Sequence, residues 1–166
     1  MGTNRREPRA SIVQGNSPDI ENRQRRVRLS LSAIERFQQR LNRELGLRPG
    51  AAFVRFVTDA EMKRLNQRFR KKAKTTDVLS FPSETRNKPH TLRSRTMEVR
   101  GSFLGDIAIS PTVAARNAKA FGRTISEEIF ILMLHGFLHL LGYDHETDRG
   151  EMERVEATLR RRLGLS

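Results

Sequence analysis

The sequence predicts a single α+β domain, in which a small mixed sheet of about four strands packs with about five helices. Short runs rich in Val, Ile and Phe predict strands around residues 52–57, 78–81 and 103–109. Apolar residues at helical spacing, preceded by Ser or Thr caps, predict helices between and after these strands. The chain has 166 residues, which is enough for one hydrophobic core and short for two.

The charge of the chain points to a polyanionic partner. Lys and Arg number 32 against 19 Asp and Glu, giving a net charge of +13. This excess favours nucleic acid over an anionic membrane surface. The sequence contains no Cys, which excludes disulfides and thiolate metal sites. The start of the chain lacks the apolar region of a secretory signal, and the apolar stretch 129–134 is too short to span a bilayer. We therefore predict a soluble, cytoplasmic protein without membrane association.

Residues 1–28 are predicted to form a basic, flexible arm, and residues 29–166 the domain. The arm carries seven Arg against three acidic residues and shows no helical period. One short strand, at 10–14, is the only regular element expected in it.

The first two helices are predicted from capping boxes followed by apolar faces. Ser32 and Glu35 have capping-box spacing, and Gly46 is a natural helix end. Thr58 and Glu61 repeat that spacing after the strand at 52–57. The predicted inward residues of the two helices are Ile34, Phe37, Leu41 and Leu45, and then Met62, Leu65 and Phe69.

A basic loop follows at 71–75, and the short strand at 78–81 ends at Pro82. Residues 83–102 have no clear period and are predicted to be a long loop or an irregular hairpin. After the strand at 103–109, Ser110 and Pro111 are a favourable start for a helix that ends at Gly122.

The next helix begins after the cap Thr124 and runs to Leu141. It is apolar on nearly every side, so we predict that it is the buried central helix. A last helix is predicted to start near 147–148, with Met152, Val155 and Leu159 facing inward.

A candidate metal site lies at the end of this central helix. Three of the four histidines fall within eleven residues, at His135, His139 and His145. Positions i and i+4 share one helix face, and Gly142 allows the chain to turn back toward them. Three neutral imidazoles with one open position describe a catalytic-type zinc site with one ion per chain. Nickel, copper and iron also accept imidazole ligands.

The spacing H-x-x-x-H-x-x-G-x-x-H is that of metzincin proteases and predicts a zincin-like central helix. Those proteases have Glu after the first His as the general base, whereas Gly136 stands here. Peptide hydrolysis by their mechanism is therefore disfavoured. Asp144, beside the third ligand, is a candidate catalytic base or second-shell partner, and equally a candidate cap for the last helix.

Four motifs resemble the YbeY-type endoribonucleases, the rRNA maturation factor family UPF0054. The histidine segment 135–145 matches the zinc signature of the family over its whole length, including Gly136. The other matches are Thr76–Pro82, Leu104–Ile107, and Asn66 with Phe69-Arg70. They occur in the order of the family and span roughly residues 50–163.

The resemblance implies a single-strand-specific, zinc-dependent endoribonuclease that acts in 16S rRNA 3′-end maturation and ribosome quality control. It implies that His135, His139 and His145 hold the zinc and that Arg70 is the functional arginine facing the site. The implied partners are 16S rRNA and ribosomal particles, with ribosomal proteins or a GTPase assembly factor as further candidates. It implies no small-molecule cofactor.

The residues expected to bind substrate are basic or hydroxyl-bearing and surround the strand at 78–81. They are Arg70, Lys71, Lys72, Lys74, Thr76 and Ser80. Thr76, Asp77 and Ser80 are equally suited to capping and turn roles, and Asp106 either orients a ligand His or anchors its strand. The family usually has Gly, Asp and Pro where Lys71, Ala73 and Thr75 stand, so the loop is predicted to be more flexible and more basic.

Between residues 63 and 100 there are twelve basic residues against three acidic ones, which predicts a basic rim that binds phosphates without reading sequence. The alternative function is a zinc-containing ribosome-assembly binding factor with little or no cleavage. A metallopeptidase is the third, disfavoured alternative.

Overall fold

The computed structural model describes residues 19–83 and 102–166. The strands in these ranges are β1 (Ile20–Asn22), β2 (Ala52–Phe56), β3 (Val78–Pro82) and β4 (Gly105–Ile109). The helices are α1 (Leu31–Leu45), α2 (Asp59–Arg70), α3 (Pro111–Phe121), α4 (Ile125–Leu140) and α5 (Glu151–Leu163). The predicted α+β domain with a small sheet and five helices is confirmed. The strand predicted at 10–14 and most of the loop predicted at 83–102 lie outside the described residues.

The four strands form one mixed sheet in the order β1-β2-β4-β3. β1 and β4 both run parallel to β2, and β3 runs antiparallel to β4. β3 is thus an edge strand, and its register sets Ser80 opposite Ile107 and Phe81 opposite Asp106.

The two faces of the sheet pack against different helices. Val54 and Ile107 are fully buried in the main core together with residues of α1 and α4. Leu79 and Ala108 point to the other face, where they pack with Met62 of α2. Side chains alternate along a strand. Val78 of β3 and Ile107 of β4 therefore face the main core, whereas Leu79 and Ala108 face α2.

Helix α4 is the centre of the fold, as predicted. Its residues Ile129, Met133 and Phe137 are completely buried, and it contacts α1, α3 and α5 as well as β3 and β4. In the described parts of the chain no helix has the length and apolar character needed to cross a membrane.

Three of the predicted helix caps are confirmed. The side-chain oxygens of Thr58, Ser110 and Thr124 each accept a hydrogen bond from the backbone N–H three residues later. The capping box predicted at Ser32 is wrong, because α1 begins at Leu31 and Ser32 lies inside it. The helix thus begins two residues before the start at Ala33 that a cap at Ser32 would give, and Leu31 packs against the core.

The prediction of a flexible arm is wrong for residues 20–22, which form β1 at the edge of the sheet. Val54 N–H donates to the Asp19 carbonyl at 2.8 Å, and Gly50 N–H donates to the Asp19 carboxylate at 2.9 Å. A strand of three residues is too short to show an alternating pattern, and its pairing partner is more than 30 residues away. The domain therefore includes residues that local composition assigns to the arm.

Helix α5 begins at Glu151 rather than near 147–148. The Asp148 carboxylate accepts hydrogen bonds from the backbone N–H groups of Gly150, Glu151 and Met152. Asp148 therefore satisfies the free donors at the start of α5 from outside the helix.

Gly136 sets the distance between α4 and β4. A Cβ at this position would lie 2.9 Å from Cγ2 and 3.0 Å from Cδ1 of Ile107. Real Cβ atoms are not found this close to other side-chain carbons, so the helix can approach the sheet this closely because residue 136 has no side chain. The Glu that metzincins carry at this position would displace the Ile107 side chain.

We expect G136A to lower the free energy of unfolding by about 1–2 kcal/mol, because the added methyl forces Ile107 to move. This is the expected net change, after the gain of about 1 kcal/mol that Ala has over Gly inside a helix is included. Urea unfolding of the parent, G136A, I107A and the double variant measures the effect, because I107A removes the atoms that the new methyl would meet. The double variant should lose less than the sum of the single losses, and a G136A protein more stable than the parent would contradict the packing argument.

Candidate metal centre

The three histidines predicted as ligands come together in space. His135 and His139 lie one turn apart on α4, with their Nε2 atoms 3.1 Å from each other. Gly142 has a φ of 95°, and this left-handed backbone turns the chain after the helix so that His145 faces the other two. One ring nitrogen from each residue lies within 4.8 Å of the others, so the triad could hold a metal ion.

The donor set fits a zinc ion. Two ligands of a tetrahedral zinc at about 2.0–2.1 Å are about 3.3 Å apart, close to the observed 3.1 Å between the two Nε2 atoms. His135 and His139 are half-buried and His145 is exposed, so the centre is open to solvent on the side of His145. Three imidazoles with an open side are the arrangement of a catalytic rather than a structural site.

Glu156, which the sequence pattern had not singled out, contacts the histidine cluster. Its Oε2 atom lies 2.9 Å from His135 Nδ1, on the side of the ring away from the other histidines. Its Oε1 atom accepts a charge-assisted hydrogen bond from Arg160 Nη2 at 2.8 Å. Glu156 follows Met152 by four residues and precedes Leu159 by three, so it lies on the buried side of α5. That spacing was the available signal for a carboxylate facing inward.

The charges of the centre are set by burial and by these partners. Burial raises the pKa of the Glu156 carboxyl, but the hydrogen bond with His135 and the interaction with Arg160 outweigh it and the pKa is lowered. Burial, followed by the neighbouring His135 and His145, lowers the pKa of His139 to about 4. His139 is therefore neutral near pH 7, as a metal ligand must be.

Asp144 has a turn role. Its carboxylate accepts hydrogen bonds from Glu146 N–H at 3.0 Å and from the Thr147 hydroxyl at 3.1 Å. The backbone hydrogen bond from Glu146 and the Thr147 contact lower its pKa. It does not cap α5, which starts seven residues later. These contacts fix the turn that carries His145.

Arg70 and Ser80 line a cavity of about 620 Å³ between α2 and the sheet. Its walls also include Phe69, Phe81 and Asp106, and none of the three histidines is among the described residues that form it. Ser80 connects the two regions, because its hydroxyl donates to the carbonyl oxygen of Gly136 at 3.1 Å. Arg70 and Ser80 thus share one cavity, and Ser80 is hydrogen-bonded to the helix that carries His135 and His139.

The basic loop after α2 is held by a buried amide. Asn66 is 2% exposed, and its side-chain N–H donates to the Lys74 carbonyl at 2.7 Å. Lys71 adopts a left-handed conformation with a φ of 54°, a backbone geometry that favours glycine. The side chains of Lys71, Lys72 and Lys74 are all exposed.

Thr76 and Asp77 have structural contacts. The Thr76 hydroxyl donates to the Asp77 carboxylate at 3.3 Å. Asp77 in turn accepts from the Asn117 amide at 3.1 Å and, through its carbonyl, from Ser110 N–H at 2.8 Å. These bonds tie the start of β3 to α3.

Asp106 does not orient a ligand histidine. It shares the face of β4 with Ala108, away from α4, and lines the cavity beside Arg70. The alternation of side chains along β4 turns Asp106 to the face away from α4. The carboxylate that contacts His135 is instead that of Glu156.

The fold and the centre define a class of protein: a small α+β domain whose central helix presents an open three-histidine metal centre. The family model described as Endoribonuclease YbeY matches residues 19–164, and the chain belongs to that family.

Individual relatives agree with this membership. The endoribonuclease YbeY of Solibacter usitatus is 51% identical over 134 residues, which cover 80% of this chain and 79% of the relative. That of Koribacter versatilis is 40% identical over 137 residues, covering 82% and 80%. The solution structure of TM1509 from Thermotoga maritima is similar with a TM-score of 0.57 and 26% identity, over 87% of each chain.

The metal-free protein should lose stability as the pH falls. The folded-state pKa of His139, about 4, lies below its ordinary value of 6.5, so the unfolded chain takes up the proton first. The free energy of unfolding should therefore fall between about pH 6.5 and about pH 4, by about 1–2 kcal/mol from this residue once solvent screening of the half-buried ring is allowed for.

Urea unfolding across this pH range, in the presence of a chelator, measures the loss. The variant H139N cannot be protonated in this range and should show a shallower pH dependence. An equal slope in both proteins would contradict the assignment to His139.

Proposed function

We propose that this chain is a zinc-dependent endoribonuclease that cleaves single-stranded RNA and acts in the cytoplasm on the 3′ end of 16S rRNA during ribosome maturation and quality control. The observation that carries the proposal is the open three-histidine centre, joined through Ser80 to a cavity that contains Arg70 and adjoins a basic loop. The membership in the Endoribonuclease YbeY family supports RNA as the substrate.

His135, His139 and His145 would hold the metal. A bound zinc ion supplies Lewis acidity toward a phosphoryl oxygen and a water molecule of lowered pKa. The residue after the first histidine is Gly136, so the chain has no carboxylate at the position of the metzincin base. Gly136 is also packed closely against Ile107. The proton chemistry therefore does not follow the metzincin pattern, and a metallopeptidase is disfavoured.

Arg70 is the proposed phosphate ligand. A guanidinium binds two phosphate oxygens at once and stabilises negative charge that develops on them. Arg70 is exposed at the end of α2 and lines the same cavity as Ser80. Lys71, Lys72 and Lys74 follow directly and extend the positive surface along which an RNA backbone would run.

Thr76 and Ser80 have more limited proposed roles at the substrate. Both hydroxyls donate within the protein, to Asp77 and Gly136 respectively, but their oxygen atoms can still accept a hydrogen bond from an RNA 2′-hydroxyl. Asp144 is the proposed base or second-shell partner beside His145, and its carboxylate also orders the turn that carries this histidine.

Zinc removal should abolish RNA cleavage. We expect chelator-treated protein to lose cleavage of a 16S 3′-end precursor, and zinc addition to restore it. H139A should lose at least about a hundredfold in rate, since it removes a ligand of the catalytic ion. Gel analysis of a labelled precursor, on a preparation of H139A whose circular dichroism matches the parent, measures the rate.

The outcomes separate the two functions considered. Cleavage that survives in H139A would mean that the activity is not from this centre. A zinc-loaded parent that binds the precursor and leaves it intact would favour the assembly binding factor, with ribosomal proteins or a GTPase assembly factor as candidate partners.

The basic loop should contribute salt-dependent affinity without sequence preference. Replacing Lys71, Lys72 and Lys74 together by Gln should reduce the slope of log affinity against log salt by up to about 2, at about 0.7 for each lost contact with single-stranded RNA. Fluorescence anisotropy with two unrelated single-stranded RNAs at several salt concentrations measures the slope.

The matched control replaces Arg36, Arg43 and Arg48 by Gln, which removes the same charge from exposed positions that do not line the cavity. If the control loses as much slope as the lysine variant, the binding is a general charge effect and the loop has no special role.

A further inference from the structure

A hydrogen-bonded chain leads from the metal centre into the last helix. His135 Nδ1 lies 2.9 Å from Glu156 Oε2, and Glu156 Oε1 lies 2.8 Å from Arg160 Nη2. Both oxygens of one carboxylate are thus engaged, one toward the histidine and one toward the guanidinium. The Glu156 side chain is 15% exposed, so water competes little for these contacts.

The contact with Glu156 determines which nitrogen of His135 carries the proton. An ionised carboxylate only accepts hydrogen bonds, so Nδ1 must be the protonated nitrogen when it faces Glu156. The lone pair of His135 is then on Nε2, which is the atom that lies 3.1 Å from His139 Nε2. The alternative tautomer would place a hydrogen in the space where the ion would bind.

Arg160 fixes the carboxylate in this orientation. It follows Glu156 by four residues on the same helix face, in the order that favours an ion pair along a helix. Helix α5 is itself held in place by Met152 and Leu159, which are 1% and 5% exposed in the core. The carboxylate is therefore attached to a packed element, and its direction does not depend on a loop.

We propose that Glu156, oriented by Arg160, is the positioning residue of the metal centre: it selects the ligating tautomer of His135 and makes metal affinity depend on the docking of α5. The proposal rests on the proposed function only in requiring that the triad binds a metal. Glu156 acts through His135 and is not expected to contact the substrate.

Zinc affinity is the direct test. E156A should bind zinc about 10–100-fold more weakly than the parent, because it loses the partner that orients the ligand. E156Q keeps an oxygen acceptor and loses the charge, so its affinity should fall between those of E156A and the parent. R160M keeps the carboxylate and frees its orientation, so its loss should be smaller than that of E156A.

The measurement is competition between the metal-free full-length protein and a chromophoric zinc chelator at pH 7. The matched control is E153Q, an exposed Glu on the same helix, which should bind zinc as the parent does. E156A affinity within twofold of the parent would overturn the proposal. A loss in E153Q equal to that in E156A would also overturn it, since the effect would then be one of net charge.

A second readout separates positioning from a general loss of structure. Nitrogen NMR of the His135 ring in the metal-free protein should show a proton on Nδ1 in the parent, and a mixture of tautomers in E156A. If E156A does not fold, E156Q provides both readouts. A variant that unfolds more easily but keeps the parent tautomer and zinc affinity would give Glu156 a purely structural role and overturn the proposal.

The two proposals fail in different ways. A parent protein that does not bind zinc would overturn both the metal-dependent function and the role of Glu156. A parent that binds zinc in a Glu156-dependent manner and leaves RNA intact would overturn the nuclease function alone.

Discussion

The close packing of α4 on β4 is the constraint on which the site depends. The two elements meet at Gly136 and Ile107, where a single added carbon would be 2.9 Å from a neighbouring side chain. Gly136 stands directly after the first ligand, so this packing sets the depth of His135 relative to the sheet. It also excludes a carboxylate base from the position that metzincins use. One glycine therefore governs both the geometry of the centre and the kind of chemistry open to it.

Around that contact the centre is assembled from three elements. Helix α4 supplies two imidazoles, the turn at Gly142 brings the third, and α5 supplies the carboxylate behind His135. The turn is held by Asp144 and the start of α5 by Asp148, so two short acidic side chains order the backbone between the ligands and the last helix. The ligands are thus supported by packed helices on one side and by a hydrogen-bonded turn on the other.

The proposed substrate side, the cavity that contains Arg70, is built from other elements. Ser80 lines the cavity that contains Arg70, and its hydroxyl donates to the Gly136 carbonyl of the helix that carries His135 and His139. Exposed lysines follow Arg70, and the buried Asn66 holds their loop in place. Ser80 of β3 thus connects the candidate metal centre with the cavity beside which the exposed lysines lie, as the proposed polyanionic substrate requires.

The sequence by itself determined the elements with strong local signals. The caps at Thr58, Ser110 and Thr124, the end at Gly46 and the apolar central helix follow from contacts within a few residues. The pairing of His135 with His139 also follows from spacing, because residues four apart on a helix share a face. Only the tertiary structure decided the pairing of β1, the side of β4 on which Asp106 lies, and the partner of His135. Each of these depends on contacts between residues far apart in the chain: β1 pairs with β2 more than 30 residues away, and Glu156 lies 21 residues from His135. The local sequence pattern does not predict such long-range contacts, because they are stabilised by the packing of whole helices and strands against one another.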